Sequence, residues 1–102
     1  MPDKQAPAAT LAALVVDDEP LARDELCYLL REWPDIEVVA TGSNGLEALE
    51  RIQQHDPDLV LLDVQMPGLD GLGVVRELLR GGARLPHIIF IKIGRASCRE
   101  RV

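Results

Sequence analysis

The sequence predicts an α/β domain, a parallel sheet with helices on both faces. Short apolar runs alternate with amphipathic stretches in the order βαβαβαβ, and such alternation produces parallel strands joined by crossover helices. The run Leu59-Val60-Leu61-Leu62 is apolar without interruption, as a central strand covered on both faces requires. Pro or Gly punctuates most of the joints between these segments, where the chain must turn.

Each element has its own justification. Residues 1–10 are polar, alanine-rich and twice interrupted by Pro, and read as a disordered lead. Residues 12–16 form a short apolar run with β-branched side chains, a buried strand. Pro20 suits a first helical position, with Asp18 or Glu19 near the N-cap. Ala22, Leu26, Leu29, Leu30 and Trp33 then recur at helical spacing until Pro34 stops the helix. Trp33 is assigned to the core or to a staple at the helix end. Residues 36–41 make a second strand. Gly42-Ser43-Asn44-Gly45 is a loop leading into a helix whose Leu46, Leu49 and Ile52 share one face. That helix breaks at Asp56-Pro57-Asp58, with His55 placed to complement its dipole. The third strand ends at Asp63, and residues 66–71 form a loop. Val74, Val75, Leu78 and Leu79 mark a third helix, closed by Gly81-Gly82. His87–Ile91 is a fourth strand, and no segment repeats another.

Composition excludes several classes of function. A chain of 102 residues holds one small domain. Its net charge of −6 argues against a nucleic-acid surface formed by this chain. The charge is unevenly spread. Residues 92–102 carry Lys92, Arg95, Arg99 and Arg101 against Glu100, a net +3, which leaves −9 on residues 1–91. No apolar run approaches the ~20 residues needed to cross a bilayer, and the first apolar run ends too soon, at Asp17-Asp18-Glu19, to be a secretory signal. Cys27 and Cys98 make neither a disulfide framework nor a metal site. The expectation is a soluble cytoplasmic chain with no membrane partner.

The chemistry lies in three acids. In open parallel sheets, ligands bind beyond the carboxyl ends of the strands. Asp17 and Asp18 follow the first strand, and Asp63 follows the third. If those strands are neighbours, the three carboxylates converge. Taken singly, each fits a helix cap or a solvated loop acid. Together they repel unless a cation neutralises them, and an all-oxygen set with open positions suits Mg²⁺. A carboxylate beside Mg²⁺ can attack phosphorus to give an acyl phosphate. Asp63, at the tip of the most apolar strand, is the candidate nucleophile. Asp17 and Asp18 are the candidate metal-holding pair, completed by the backbone carbonyl of Gln65.

Leu14-Val15-Val16-Asp17-Asp18-Glu19-Pro20 and Leu61-Leu62-Asp63-Val64-Gln65-Met66-Pro67-Gly68-Leu69-Asp70-Gly71 resemble the receiver domain of bacterial two-component response regulators. The resemblance covers residues 11 to 91 and implies a flavodoxin-like, doubly wound (βα)₅ sheet, here cut after the fourth strand. It implies phosphorylation of Asp63 by a partner histidine kinase, with Mg²⁺ held by Asp17, Asp18, Asp63 and the Gln65 carbonyl. Of the acidic pair, Asp18 is the one the resemblance favours as a ligand. Met66, Pro67 and Gly71 match the loop that shapes the site. Glu19-Pro20-Leu21-Ala22-Arg23 is similar to regulators with a LytTR-type DNA-binding output. DNA contact would then belong to an output domain outside this chain, and the intact protein could form a homodimer.

Past residue 91 the pattern stops. The resemblance calls for a Thr or Ser after the fourth strand and a Lys after a fifth, but Lys92 stands at the first of these positions. Ile93-Gly94-Arg95-Ala96-Ser97-Cys98-Arg99-Glu100-Arg101-Val102 looks like translated sequencing-adapter read-through, encoded without a gap by ATC GGA AGA GCG TCG TGT AGG GAA AGA GTG. Residues 92–102 are therefore expected to be foreign to the natural chain. A natural basic tail for membrane or nucleic acid is the alternative, but it lacks an amphipathic pattern and stacking aromatics. Two other functions compete with the phospho-acceptor. One is a phosphorylation-independent interaction module, which leaves the acidic trio unexplained. The other is a Mg²⁺-dependent phosphatase, which needs an acid where Gln65 stands. The expectation is a signalling module, not a turnover enzyme.

Overall fold

The computed structural model of the chain describes residues 10–82 and 84–91. The expected lead, apart from Thr10, and the tail 92–102 lie outside the described residues. The elements run β1 (Leu11–Val16), α1 (Pro20–Leu30), β2 (Ile36–Gly42), α2 (Gly45–His55), β3 (Leu59–Asp63), α3 (Gly71–Gly81) and β4 (His87–Ile91). The four strands are parallel, in the order β2-β1-β3-β4. This is the α/β sheet with helices on both faces expected from the alternation, in the doubly wound, flavodoxin-like order that the resemblance implies.

Strand periodicity divides the core between two faces. Leu14, Val16, Val60 and Leu62 point to one side, where they pack with Ala48 and Ile52 of α2 and Val74 of α3. Ala13, Leu59 and Leu61 point to the other, against Leu26 and Leu30 of α1. Every residue of β3 is buried, which accounts for its unbroken apolar run. The β1–β2 register slips between Ala13 and Leu14, so β2 carries one extra residue at Val39.

Helix phase corrects four expectations. Helix α1 ends at Leu30, and Trp33 lies beyond it with its amide bonded to the Leu30 carbonyl. Trp33 is therefore 61% exposed and is not a core residue. Leu26 and Leu30, four apart, form the line that meets the sheet, which turns Leu29 outward. In α2 the buried line is Ala48 and Ile52, leaving Leu46 exposed on the first turn. In α3, Val74 is buried with Val75 and Leu78 packed beside it, while Leu79 faces solvent.

Polar groups close the ends. Asn44 caps α2 by accepting the Glu47 amide at 2.9 Å, and Asp70 caps α3 by accepting the Gly73 amide at 2.9 Å. Asp56 ends α2 in the left-handed conformation, and His55 occupies the last turn as expected. Asp58 ties the amino ends of three strands together. Its Oδ2 accepts the Ala12 amide at 2.8 Å, its own amide donates to Ala12, and its carbonyl accepts the His87 amide.

Candidate functional site

The register places the acids. Val16 of β1 pairs with Leu62 of β3, so Asp17 and Asp63 leave neighbouring strands at the same level. Asp18 joins them from the start of the β1–α1 turn. One carboxylate oxygen from each of Asp17, Asp18 and Asp63 lies within 4.8 Å of the others. Asp17 and Asp63 are buried, while Asp18 is half-buried at the opening.

The same local device holds both buried acids. Asp17 Oδ1 accepts the Glu19 amide at 2.9 Å, and Asp63 Oδ1 accepts the Gln65 amide at 3.0 Å. Each is an aspartate bonding the amide two residues on, which turns the chain sharply out of its strand. The Asp17 amide donates to the Gly42 carbonyl at 3.1 Å, joining the turn to the end of β2. After Asp63 the loop closes through the Gly71 amide, which donates to Val64. Gly71 must be glycine here, because a Cβ would sit 2.6 Å from the Asp63 carbonyl oxygen. Gly68 supplies the positive φ at the loop tip. A groove of about 430 Å³ opens beside Asp18, lined by Ser43, Asn44, Gly45, Leu46, Pro67, Gly68 and Leu69.

At the rim, Ser43 donates from both its amide and its hydroxyl to Glu47 Oε1, each at 2.8 Å. The amide first, and then the hydroxyl, hold the Glu47 carboxyl below its ordinary range. Larger hollows of about 840 and 580 Å³ lie between α2 and α3 and beside the start of β4, away from the three carboxylates. Cys27 is half-buried on α1, and burial, then Asp24, push its thiol up, the opposite of a reactive thiolate.

A family model described as response regulator receiver domain matches residues 13–99. The chain belongs to the response regulator receiver domain family. A response regulatory protein of Vibrio cholerae is 48% identical to it over 83 residues, 80% of this chain and 31% of the relative. A protein-glutamate methylesterase/protein-glutamine glutaminase of Oleidesulfovibrio alaskensis is 46% identical over 69 residues, 68% of this chain and 19% of that one. Among solved structures, the signal receiver domain of NarL from Mycobacterium tuberculosis is 34% identical, with a TM-score of 0.72 over 79% of this chain and 64% of that one. The response regulator domain of Thermotoga maritima CheB is 30% identical, with a TM-score of 0.71 over 79% and 59%. The chain thus spans about one third or less of the curated relatives it matches. The matched range runs eight residues past β4, into the segment whose sequence looks foreign.

The receiver fold therefore brings together the three acids that sequence reasoning named. Gln65, the fourth named residue, stands two residues past Asp63 with an exposed side chain and its amide bonded back to that acid. Met66 is buried beneath the loop, Pro67 is exposed on it, and Lys92 lies outside the described residues. Sequence reasoning missed Glu47 and gave Arg23 no role of its own. The Asn44-to-Glu47 spacing carried a capping signal, whereas nothing local announced where the Arg23 side chain would go. Among the described residues, no helix is long and apolar enough to cross a membrane.

Proposed function

We propose that this receiver domain takes a phosphoryl group from the phosphohistidine of a histidine kinase onto Asp63. The observation that carries the reading is the convergence of three carboxylates within 4.8 Å at the ends of β1 and β3. Such a cluster is electrostatically costly unless a cation is held there. The donor set is all oxygen, which fits Mg²⁺. Asp17, Asp18, Asp63 and the Gln65 backbone carbonyl are the residues that would hold it. When bound, Mg²⁺ supplies positive charge against the oxygens of the phosphoryl group.

The chain's own groups do the rest. An Asp63 oxygen attacks phosphorus as the phosphorus–nitrogen bond breaks, and the departing imidazole keeps the electron pair. The product is an aspartyl phosphate. Burial of Asp63 and the Asp63–Gln65 bond hold the nucleophile in one orientation. Added charge at this point then shifts the surrounding loops, so the chain acts as a signalling module and not as a turnover enzyme. Two solved relatives are response regulators of the LuxR family, one of them DNA-binding. They support a transcriptional output through DNA in the intact protein, with the Glu19–Arg23 segment pointing to the LytTR group. Residues 92–102 are read as foreign, and a genomic copy encoding them unchanged contradicts that.

Incubation with acetyl phosphate and Mg²⁺ tests the reading by intact mass. The chain should gain one phosphoryl group, and chelation with EDTA should abolish the gain. No gain, or a gain indifferent to EDTA, removes the metal-assisted acceptor and leaves a phosphorylation-independent module.

A further inference from the structure

We infer that Arg23 is a positioning residue for the acidic pocket, holding the Asp17–Asp18 peptide in the orientation from which both carboxylates reach the site. The inference rests on the phospho-acceptor reading and names one residue that makes its metal-holding pair competent. The Arg23 side chain holds the β1–α1 turn, while its main-chain amide makes the first bond of α1, as any residue but proline would there. Its main-chain amide donates to the Glu19 carbonyl at 3.0 Å, and its guanidinium Nη1 donates to the Asp17 carbonyl at 2.8 Å. The Asp17 carbonyl and the Asp18 amide share one peptide plane. Fixing that oxygen therefore fixes the direction in which Asp18 leaves the chain, and with it the end of Asp17.

Two features separate this contact from an ordinary surface arginine. It is half-buried and directed at a backbone carbonyl, not at a mobile carboxylate whose pairing would contribute little. After the two Ser43 bonds, the charge of Arg51 and then that of Arg23 also lower the Glu47 carboxyl. The Asp17–Glu19 bond sets the bend of the turn, the Asp17–Gly42 bond anchors it to β2, and Arg23 sets its peptide plane.

The test is Mg²⁺ affinity measured by calorimetry on the full chain, without a phosphodonor. Arg23→Ala should weaken Mg²⁺ binding about tenfold, as loss of a group supporting a ligand does. Arg23→Met, which keeps the aliphatic stem, should do the same if Arg23→Ala fails to fold. Arg23→Lys keeps a donor and the charge and should restore most of the affinity. The Asp18 amide resonance of the metal-free protein should move in Arg23→Met and return in Arg23→Lys. Wild-type affinity in a folded Arg23→Met overturns the inference, as does Met-level affinity in Arg23→Lys. Absence of Mg²⁺ binding by the wild type overturns the acceptor-site reading itself, so the two failures are told apart.

Discussion

At the scale of residues, the acids of the site were legible because position, not environment, identified them. Asp17, Asp18 and Asp63 each follow an apolar run, and the carboxyl ends of parallel strands are where such a fold places its ligands. Glu47 was not legible in that way. Its role depends on the backbone bringing Ser43 within 2.8 Å of its carboxylate. Because those bonds depress the folded-state pKa of Glu47, its contribution to stability is present above the ordinary glutamate value of 4.5. It is lost as pH falls through the lower folded value. In urea unfolding, the advantage of wild type over Glu47→Gln should therefore be full at neutral pH and vanish in acid. A difference that stays constant with pH contradicts this. Trp33 shows the converse limit, since a large apolar residue at helical spacing lay one turn too late to reach the sheet.

At the scale of elements, the order and type of all seven were readable from alternation and punctuation, and boundaries moved by only a few residues. What the pattern could not give was helix phase. Leu29 and Leu46 fit an apolar stripe on paper, but the buried lines of α1 and α2 run through Leu26 and Leu30, and through Ala48 and Ile52. Only the packing angle against the sheet decides which line is buried. Asp58 was read as a helix breaker and is also a clasp. With its side chain removed, the Ala12 amide loses its partner, so Asp58→Ala should cost about 1 kcal/mol in chemical denaturation. Asp58→Asn, which keeps an acceptor oxygen, should recover most of that. Equal losses in the two variants would show that the clasp is not the cause.

At the scale of the whole molecule, the sheet order decides which strand ends, and so which acids, meet. Strands β1 and β3 are adjacent, which puts β2 on one edge and β4 on the other among the described residues. The strand β4 is apolar along its length after His87, and its Ile89 is 49% exposed. A flat apolar edge strand is a template for pairing with another chain, and a lysine there opposes it. The 102-residue chain should therefore associate as its concentration rises in sedimentation velocity, and Ile89→Lys should reduce that association. A wild-type chain that remains monomeric across the concentration range contradicts the expectation.

The same sheet makes one demand that can be checked at a single atom pair. If the register that sets Asp17 beside Asp63 exists to serve phosphoryl transfer, the new bond must form on Asp63. After treatment with acetyl phosphate and Mg²⁺, borohydride reduction converts an aspartyl phosphate to homoserine, which peptide mass spectrometry can locate. The account predicts homoserine at position 63 and no trapped residue in Asp63→Asn. Homoserine at Asp17 or Asp18, or trapping that persists in Asp63→Asn, contradicts it.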